Sequence, residues 1–181
     1  RAIDKADGVI VTSPCFSLHV PGHVKTWIDL MSFRFHRPAF FDKRGLVIST
    51  TVGQGASAVC TYLRDVLGHW GFNRVHKIAV ACRSLDYQPD EKAESRFNAA
   101  ADRFWCELSR SQLRRPTLKR LLYFNVWRAM ALEGKQDQNR DYTYWQETGL
   151  LVQPFAPVVP INTAQRLLAG LVFAMVQRMM P

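Results

Sequence analysis

The sequence predicts an α/β protein with a parallel sheet covered by helices on both faces, and three observations carry that prediction. Short β-branched apolar runs recur at 8–12, 45–50 and 76–82. Amphipathic stretches with a helical period stand between them, and Gly and Pro mark the joints. Strand and helix alternating at these lengths imply right-handed crossovers and a three-layer sandwich.

The chain opens "RAIDKADG", without Met, as though a helix were ending and running straight into a strand, so it reads as part of something longer. "GVIVT" (8–12) is an unbroken apolar run, as expected of a parallel strand buried on both faces. Val24, Trp27, Ile28 and Met31 fall at i, i+3, i+4 and i+7, which predicts a helix over about 22–34. "GLVIST" (45–50) is the second strand. Val59, Leu63, Val66 and Trp70 form the stripe of a second helix, closed by Gly71 in a left-handed cap. "HKIAVAC" (76–82) is the third strand. Phe97, Ala101, Phe104 and Leu108 mark a helix that starts near Pro89 and Asp90.

Beyond Arg115 the alternation stops, and the chain divides into 1–115 and a helical extension, 116–181. "RRPTLKRLLYFNVWRAMALEG" predicts a helix opened by Pro116 and ended by Gly134. A polar, aromatic stretch and a Pro-rich connector follow, and Thr163 to Met180 reads as a last helix. Its apolar centre is too short for a bilayer of about 30 Å. It is read as docking on the domain or on a second subunit, with peripheral contact at a membrane surface as the other reading.

At 181 residues, with 48% hydrophobic and 22% charged residues, the composition is that of a globular protein. The net charge of +9 points to an anionic partner: nucleic acid, a membrane surface or a phosphorylated cofactor. Arg110, Arg114, Arg115, Lys119 and Arg120 crowd one stretch without an acid between them, as a solvated helix end or an anion site. Nucleic acid is the weakest of these partners, since no zinc-finger, helix-turn-helix or RNP-like pattern is present. Cys15, Cys60, Cys82 and Cys106 form no C-x-x-C and read mainly as small buried hydrophobes in a reducing cytoplasm.

Open α/β sheets bind ligands beyond the carboxyl ends of their strands. Here those ends carry "TSPCFSLHVPGH" and "STTVGQGAS", two loops rich in Ser, Thr, Gly and Pro that each lead into a helix N-terminus. Small residues let the backbone approach a flat ligand, and free N–H groups there bind electron-rich atoms. Either loop alone reads as an ordinary βα turn, but together they predict one wall of a cleft.

"ADGVIVTSPCFSLHVPGHVKTWID" resembles the ADGIIxxSPxYxxxxPGxLKxxID motif of the flavodoxin-like NADPH-dependent FMN reductases and iron-sulfur flavoproteins. The match runs through Ala6, Asp7, Gly8, Ser13, Pro14, Phe16, Pro21, Gly22, Lys25, Ile28 and Asp29. "GLVISTTVGQGASAVCTYLRDVLGHWGF" is similar to that family's fourth strand and glycine-containing flavin loop. "DYTYWQETG" is similar to the C-terminal extension of some members.

The resemblance implies a flavodoxin-like sandwich whose third to fifth strands are those above, with the first βαβ portion lacking. It implies that Ser13, Pro14, Cys15, Phe16 and Ser17 face the isoalloxazine ring of FMN, and that Thr50, Thr51, Val52, Gly53, Gln54 and Gly55 meet it from the next strand end. It further implies a homodimer that passes hydride from NAD(P)H through FMN to a quinone, a flavin or a similar acceptor. No side-chain acid, base or nucleophile is then required, because the cofactor carries the chemistry.

Two departures are visible. Phe16 stands where the family has Tyr, so a hydroxyl is lost. The phosphate loop and any iron-sulfur cysteine run would precede Arg1, so weak or absent FMN binding and little activity are expected of residues 1–181 alone. His19, His23, His36, His69 and His76 are scattered and predict no metal site, with His19 nearest the cleft mouth. Trp127, Tyr142, Tyr144 and Trp145 read as extension core, an aromatic lid or a dimer contact. The competing function classes are a flavodoxin-like FMN electron carrier without its own NAD(P)H site, and an anion-binding protein.

Overall fold

The computed structural model describes residues 2–84 and 86–180. Its order is α1 (Ala2–Lys5), β1 (Gly8–Pro14), α2 (Gly22–Leu30), β2 (Arg44–Thr51), α3 (Ala56–His69), β3 (Arg74–Ala81), α4 (Glu91–Leu108), α5 (Leu118–Glu133), α6 (Arg140–Glu147) and α7 (Thr163–Met179). The three strands form one parallel sheet in the order β1-β2-β3.

The register assigns the two faces. Val11, Val47 and Lys77 share a row, as do Ser13, Ser49 and Ala79. That face packs on α2 and α3 through a core that includes Val47, Val59, Leu63, Leu67, Trp70 and Phe72. Burying Leu63 and Leu67 contributes about 1.5–3 kcal/mol each. Gly8 opens the other face, where a β-carbon would meet Leu108 and Phe104 of α4. The sheet thus carries helices on both sides, as the periodicities predict.

Three details differ from expectation. β1 is not buried on both faces: Ile10 is 58% exposed, because β1 lies at the sheet edge and α4 packs chiefly over β2 and β3. The first long helix ends at Leu30. The Met31 N–H reaches both Trp27 O and Ile28 O, and this tightening leads into a 3-10 turn at Ser32–Phe35. The thiols are not uniformly buried: Cys60 is, Cys15 and Cys82 are half-buried, and Cys106 is exposed on the outer side of α4.

Gly71 does close α3, at φ +112°. Phe72 N–H donates to Leu67 O and Gly71 N–H to Gly68 O, the two bonds of a Schellman cap. A β-carbon on Gly71 would stand 2.9 Å from Phe40 N, so only Gly fits the crossing.

The C-terminal helices enclose a second cluster built around Leu121, Phe124, Trp145, Leu150 and Phe155, joined by Phe41 from the segment before β2. The "DYTYWQET" stretch forms α6, begun by Asn139, whose side chain accepts from the Asp141 and Tyr142 amides. α6 anchors to that same segment: Trp145 Nε1 donates to His36 O at 2.7 Å and the Tyr144 hydroxyl to Pro38 O at 2.7 Å. Trp127 stacks on His36 at 4.1 Å. These four aromatics therefore serve the extension and its junction with the loop that enters β2, away from the carboxyl ends of the strands.

The basic stretch 110–120 is a clasp. Asn73, ahead of β3, exchanges two hydrogen bonds with the Arg114 backbone at 2.9 Å each. Arg114 forks onto Glu107, which also pairs with Arg110. α7 begins with a capping box between Asn162 and Gln165 and packs on α5. Its Leu167, Leu171, Met175 and Met179, spaced by four, form an exposed apolar stripe. Among the described residues no helix is long and apolar enough to cross a membrane.

Candidate functional site

The carboxyl ends of β1 and β2 bring both predicted loops together. At the end of β1, Ser13 is buried, with its hydroxyl donating to Pro14 O at 2.9 Å. Cys15 N–H donates to Thr50 O at 2.8 Å, which ties the first loop to β2. Phe16 and His19 then exchange two backbone hydrogen bonds of 2.9 Å around Ser17 and Leu18. Both of these have positive φ, +50° and +66°, the pattern of a type I′ turn. A left-handed Leu is rare and strained, and such strain concentrates at functional sites. The turn leaves the Phe16 ring 62% exposed and Leu18 57% exposed.

The second loop packs directly beneath. Gly55 has φ +100°, and a β-carbon on it would stand 2.6 Å from Cys15 Sγ and 3.1 Å from Leu18 Cα. Only Gly permits this contact between the loops. Cys15 Sγ and the Thr51 hydroxyl both reach Gln54 O, at 3.5 and 3.1 Å. Val52 is exposed beside them, and no heavy atom lies within 4 Å of a β-carbon built on Gly53. The amides of Gly53 and Gln54 find no acceptor among the described residues.

Two helix N-termini aim at this rim. α2 follows Pro21 and α3 follows Gly55, and neither has a side-chain cap. Their first amides and partial positive charge face the loops, an arrangement that suits an electron-rich ligand edge. Lys25 and Asp29, both in the motif, form an exposed ion pair along α2 at 2.7 Å, which raises the lysine pKa.

All eleven predicted contact residues, Ser13 to Ser17 and Thr50, Thr51, Val52, Gly53, Gln54 and Gly55, thus lie at two adjacent strand ends and on the touching loops that follow them. His19 also stands at this rim, its backbone held in the turn and its ring 4.6 Å from that of Tyr62. Three residues were missed. Leu18 supplies apolar surface, Tyr62 braces His19 from α3, and Arg83 lies at the third strand end with φ +58°, donating its N–H to Val52 O. Arg83 could have been found, because it directly follows "HKIAVAC" and the sheet register carries it to the same rim.

Cys60 lies deeper. Its thiol donates to Ile78 O at 3.2 Å, and burial pushes its pKa up, so it is a packed thiol rather than a reactive one. Among the described residues no three His, Cys, Asp or Glu side chains gather as a metal site.

Comparison with known proteins bears on this rim. Residues 1–84 match the family model of NADPH-dependent FMN reductase. An iron-sulfur flavoprotein of Archaeoglobus fulgidus is 38% identical over 72 residues, which are 39% of this chain and 33% of that protein. The apo crystal structure of an NADH:FMN oxidoreductase, EMOB, is similar with a TM-score of 0.50 and 26% identity, over 60% of this chain and 58% of that one. The chain therefore spans less than two thirds of the length of either relative. The matched region contains all of β1, β2 and β3 and both loops of the rim, so the likeness to NADPH-dependent FMN reductase falls on the sheet and the candidate site.

Proposed function

We propose that the rim holds the ring of FMN and that the chain serves an FMN-dependent NAD(P)H oxidoreductase, whose acceptor is a quinone, a free flavin or a similar molecule. The observation that carries this reading is the junction of the two loops at Gly55 and Cys15. It leaves the side chains of Phe16, Leu18 and Val52 exposed near the amides of Gly53 and Gln54, which have no acceptor among the described residues. A flat ring with one polar edge has this chemistry, so the residues present fit the group.

FMN, when bound, supplies the redox chemistry, accepting hydride from the nicotinamide and passing electrons on. The chain's own residues position it. Phe16 and Leu18 cover a ring face and exclude water. Gly53 admits close backbone approach, and the amides of Gly53 and Gln54 donate to the polar edge. The uncapped start of α3 adds positive potential where negative charge develops, fixed before the reaction starts. The free thiols suit a reducing cytoplasm, and the exposed α7 stripe suits a homodimer.

The test is an FMN fluorescence titration of the full chain, followed by NADH and NADPH oxidation with a soluble quinone. Saturable flavin binding with nucleotide oxidation supports the proposal. Flavin binding without oxidation means an electron carrier; because residues 1–181 alone are expected to bind FMN weakly, the refuting result is the absence of any flavin-induced NMR shift of the Gly53 and Gln54 amides at high FMN concentration.

A further inference from the structure

A cavity of about 370 Å³ lies at the other end of the sheet, where α3 ends, β3 begins and α5 starts. Phe72, Phe124, Phe155, Trp127 and Tyr123 give it largely aromatic walls. His69 continues them, with its ring 5.1 Å from Phe35 and 4.8 Å from Tyr123.

One side of the cavity is strongly basic. Arg64, Arg74, Lys119 and Arg120 line it, with Asp65 the only carboxylate among the lining residues. Asp65 is engaged by Arg64 at 2.8 Å. Arg120 donates to two carbonyls, Asn73 O and Gly71 O, both at 2.7 Å. Among the described residues no carboxylate stands within salt-bridge distance of it, and burial pushes its pKa down to about 10. It remains a cation at neutral pH, half removed from water and without a counter-charge. Lys119 is likewise without an acid and lies 5.8 Å from the Tyr123 ring centroid.

We propose that this cavity binds a planar aromatic carboxylate, with its ring between the aromatic walls and its carboxylate at Lys119 and Arg120. A mostly aromatic enclosure gives water few partners, so a wholly hydrated filling is poor. A phosphate would fit the charge but leave the aromatic walls unfilled, and a neutral aromatic would leave the cations unpaired. The volume falls within the range of small-molecule pockets. The site is independent of the flavin rim, which lies at the opposite strand ends.

The test uses three probes on the full chain by calorimetry: 2-naphthoate, 2-naphthalenemethanol and inorganic phosphate. Saturable binding of 2-naphthoate is expected with a Kd below about 1 mM, at least about tenfold tighter than the alcohol. Lys119→Gln and Tyr123→Ala, both at exposed positions that spare the core, should each weaken it by about threefold or more. FMN should not displace it. Equal binding of acid and alcohol, binding of phosphate alone, competition with FMN, unchanged affinity in both variants, or no saturation would each overturn the proposal.

Discussion

Gly55 and Cys15 are packed so closely that a single added β-carbon at Gly55 would stand 2.6 Å from the Cys15 sulfur. Two strand ends are thereby held as one surface. Gly55→Ala must both relieve that overlap and keep φ near +100°, at a cost of roughly 1–3 kcal/mol. Denaturant unfolding should show the loss, and FMN titration should show weaker binding. A variant as stable and as tight as the parent would mean that the loops separate at no cost.

Gly53 makes the opposite prediction. A β-carbon there meets nothing within 4 Å, so Gly53→Ala should leave the unfolding midpoint unchanged. If the rim holds FMN as proposed, it should still weaken FMN binding, because the new methyl group would occupy space that the ring takes in that site. Matched unfolding and flavin titrations of the two glycine variants separate packing from ligand approach.

Glu107 is buried at the end of α4, where hydrogen bonds from the Arg114 guanidinium hold its carboxyl below the usual carboxylate range. A depressed folded-state pKa gives stability that is present above the unfolded value, about 4.5, and is lost as pH falls through the folded one. Glu107→Gln should flatten this acid limb and cost about 1–3 kcal/mol at neutral pH. Urea unfolding between about pH 3 and 7 reads both effects, and parallel pH profiles would rule out the pairing as their source.

His69 lies between Phe35 and Tyr123, and burial first, then the Lys119 charge, lowers its pKa. The neutral form is favoured, so its contribution to stability is present above the ordinary histidine value, about 6.5, and is lost as pH falls toward the folded value. An NMR titration of the imidazole should show protonation below the ordinary range, and Lys119→Gln should move it upward. A midpoint at or above the ordinary value would contradict the burial.

Trp145 is fully buried, and its indole donates to His36 O. Trp145→Phe keeps most of the apolar contact but leaves that carbonyl without its donor, so a loss of about 1–3 kcal/mol is expected by thermal or chemical unfolding. Flavin binding should not change, because the ring lies far from the loops of the rim.

The strands and long helices were legible because their signals are local: β-branched runs for β1, β2 and β3, apolar stripes for α2 to α4, and the Pro116 and Gly134 boundaries for α5. The rim residues from Ser13 to Gly55 were legible chiefly through the motif, since a Gly- and Ser-rich loop alone does not say what it touches. α6 was not legible, because its two buried aromatics, Tyr142 and Trp145, give one helical step in a polar segment and the rest of its support is tertiary. The left-handed Leu18 was hidden for a different reason: no residue type announces that conformation, and the paired backbone bonds of Phe16 and His19 impose it. The burial of Arg120 was invisible because a run of basic residues normally faces water, whereas the carbonyls that capture this one come from 71 and 73.

α3 follows Gly55 in the rim and ends at His69 in the aromatic cavity. Fourteen residues at about 1.5 Å each make a rod of roughly 21 Å. A molecule at either pole is therefore beyond contact with one at the other, and both can be carried at once. Any conversation between them must pass through tilt or sliding of that single rod against the sheet.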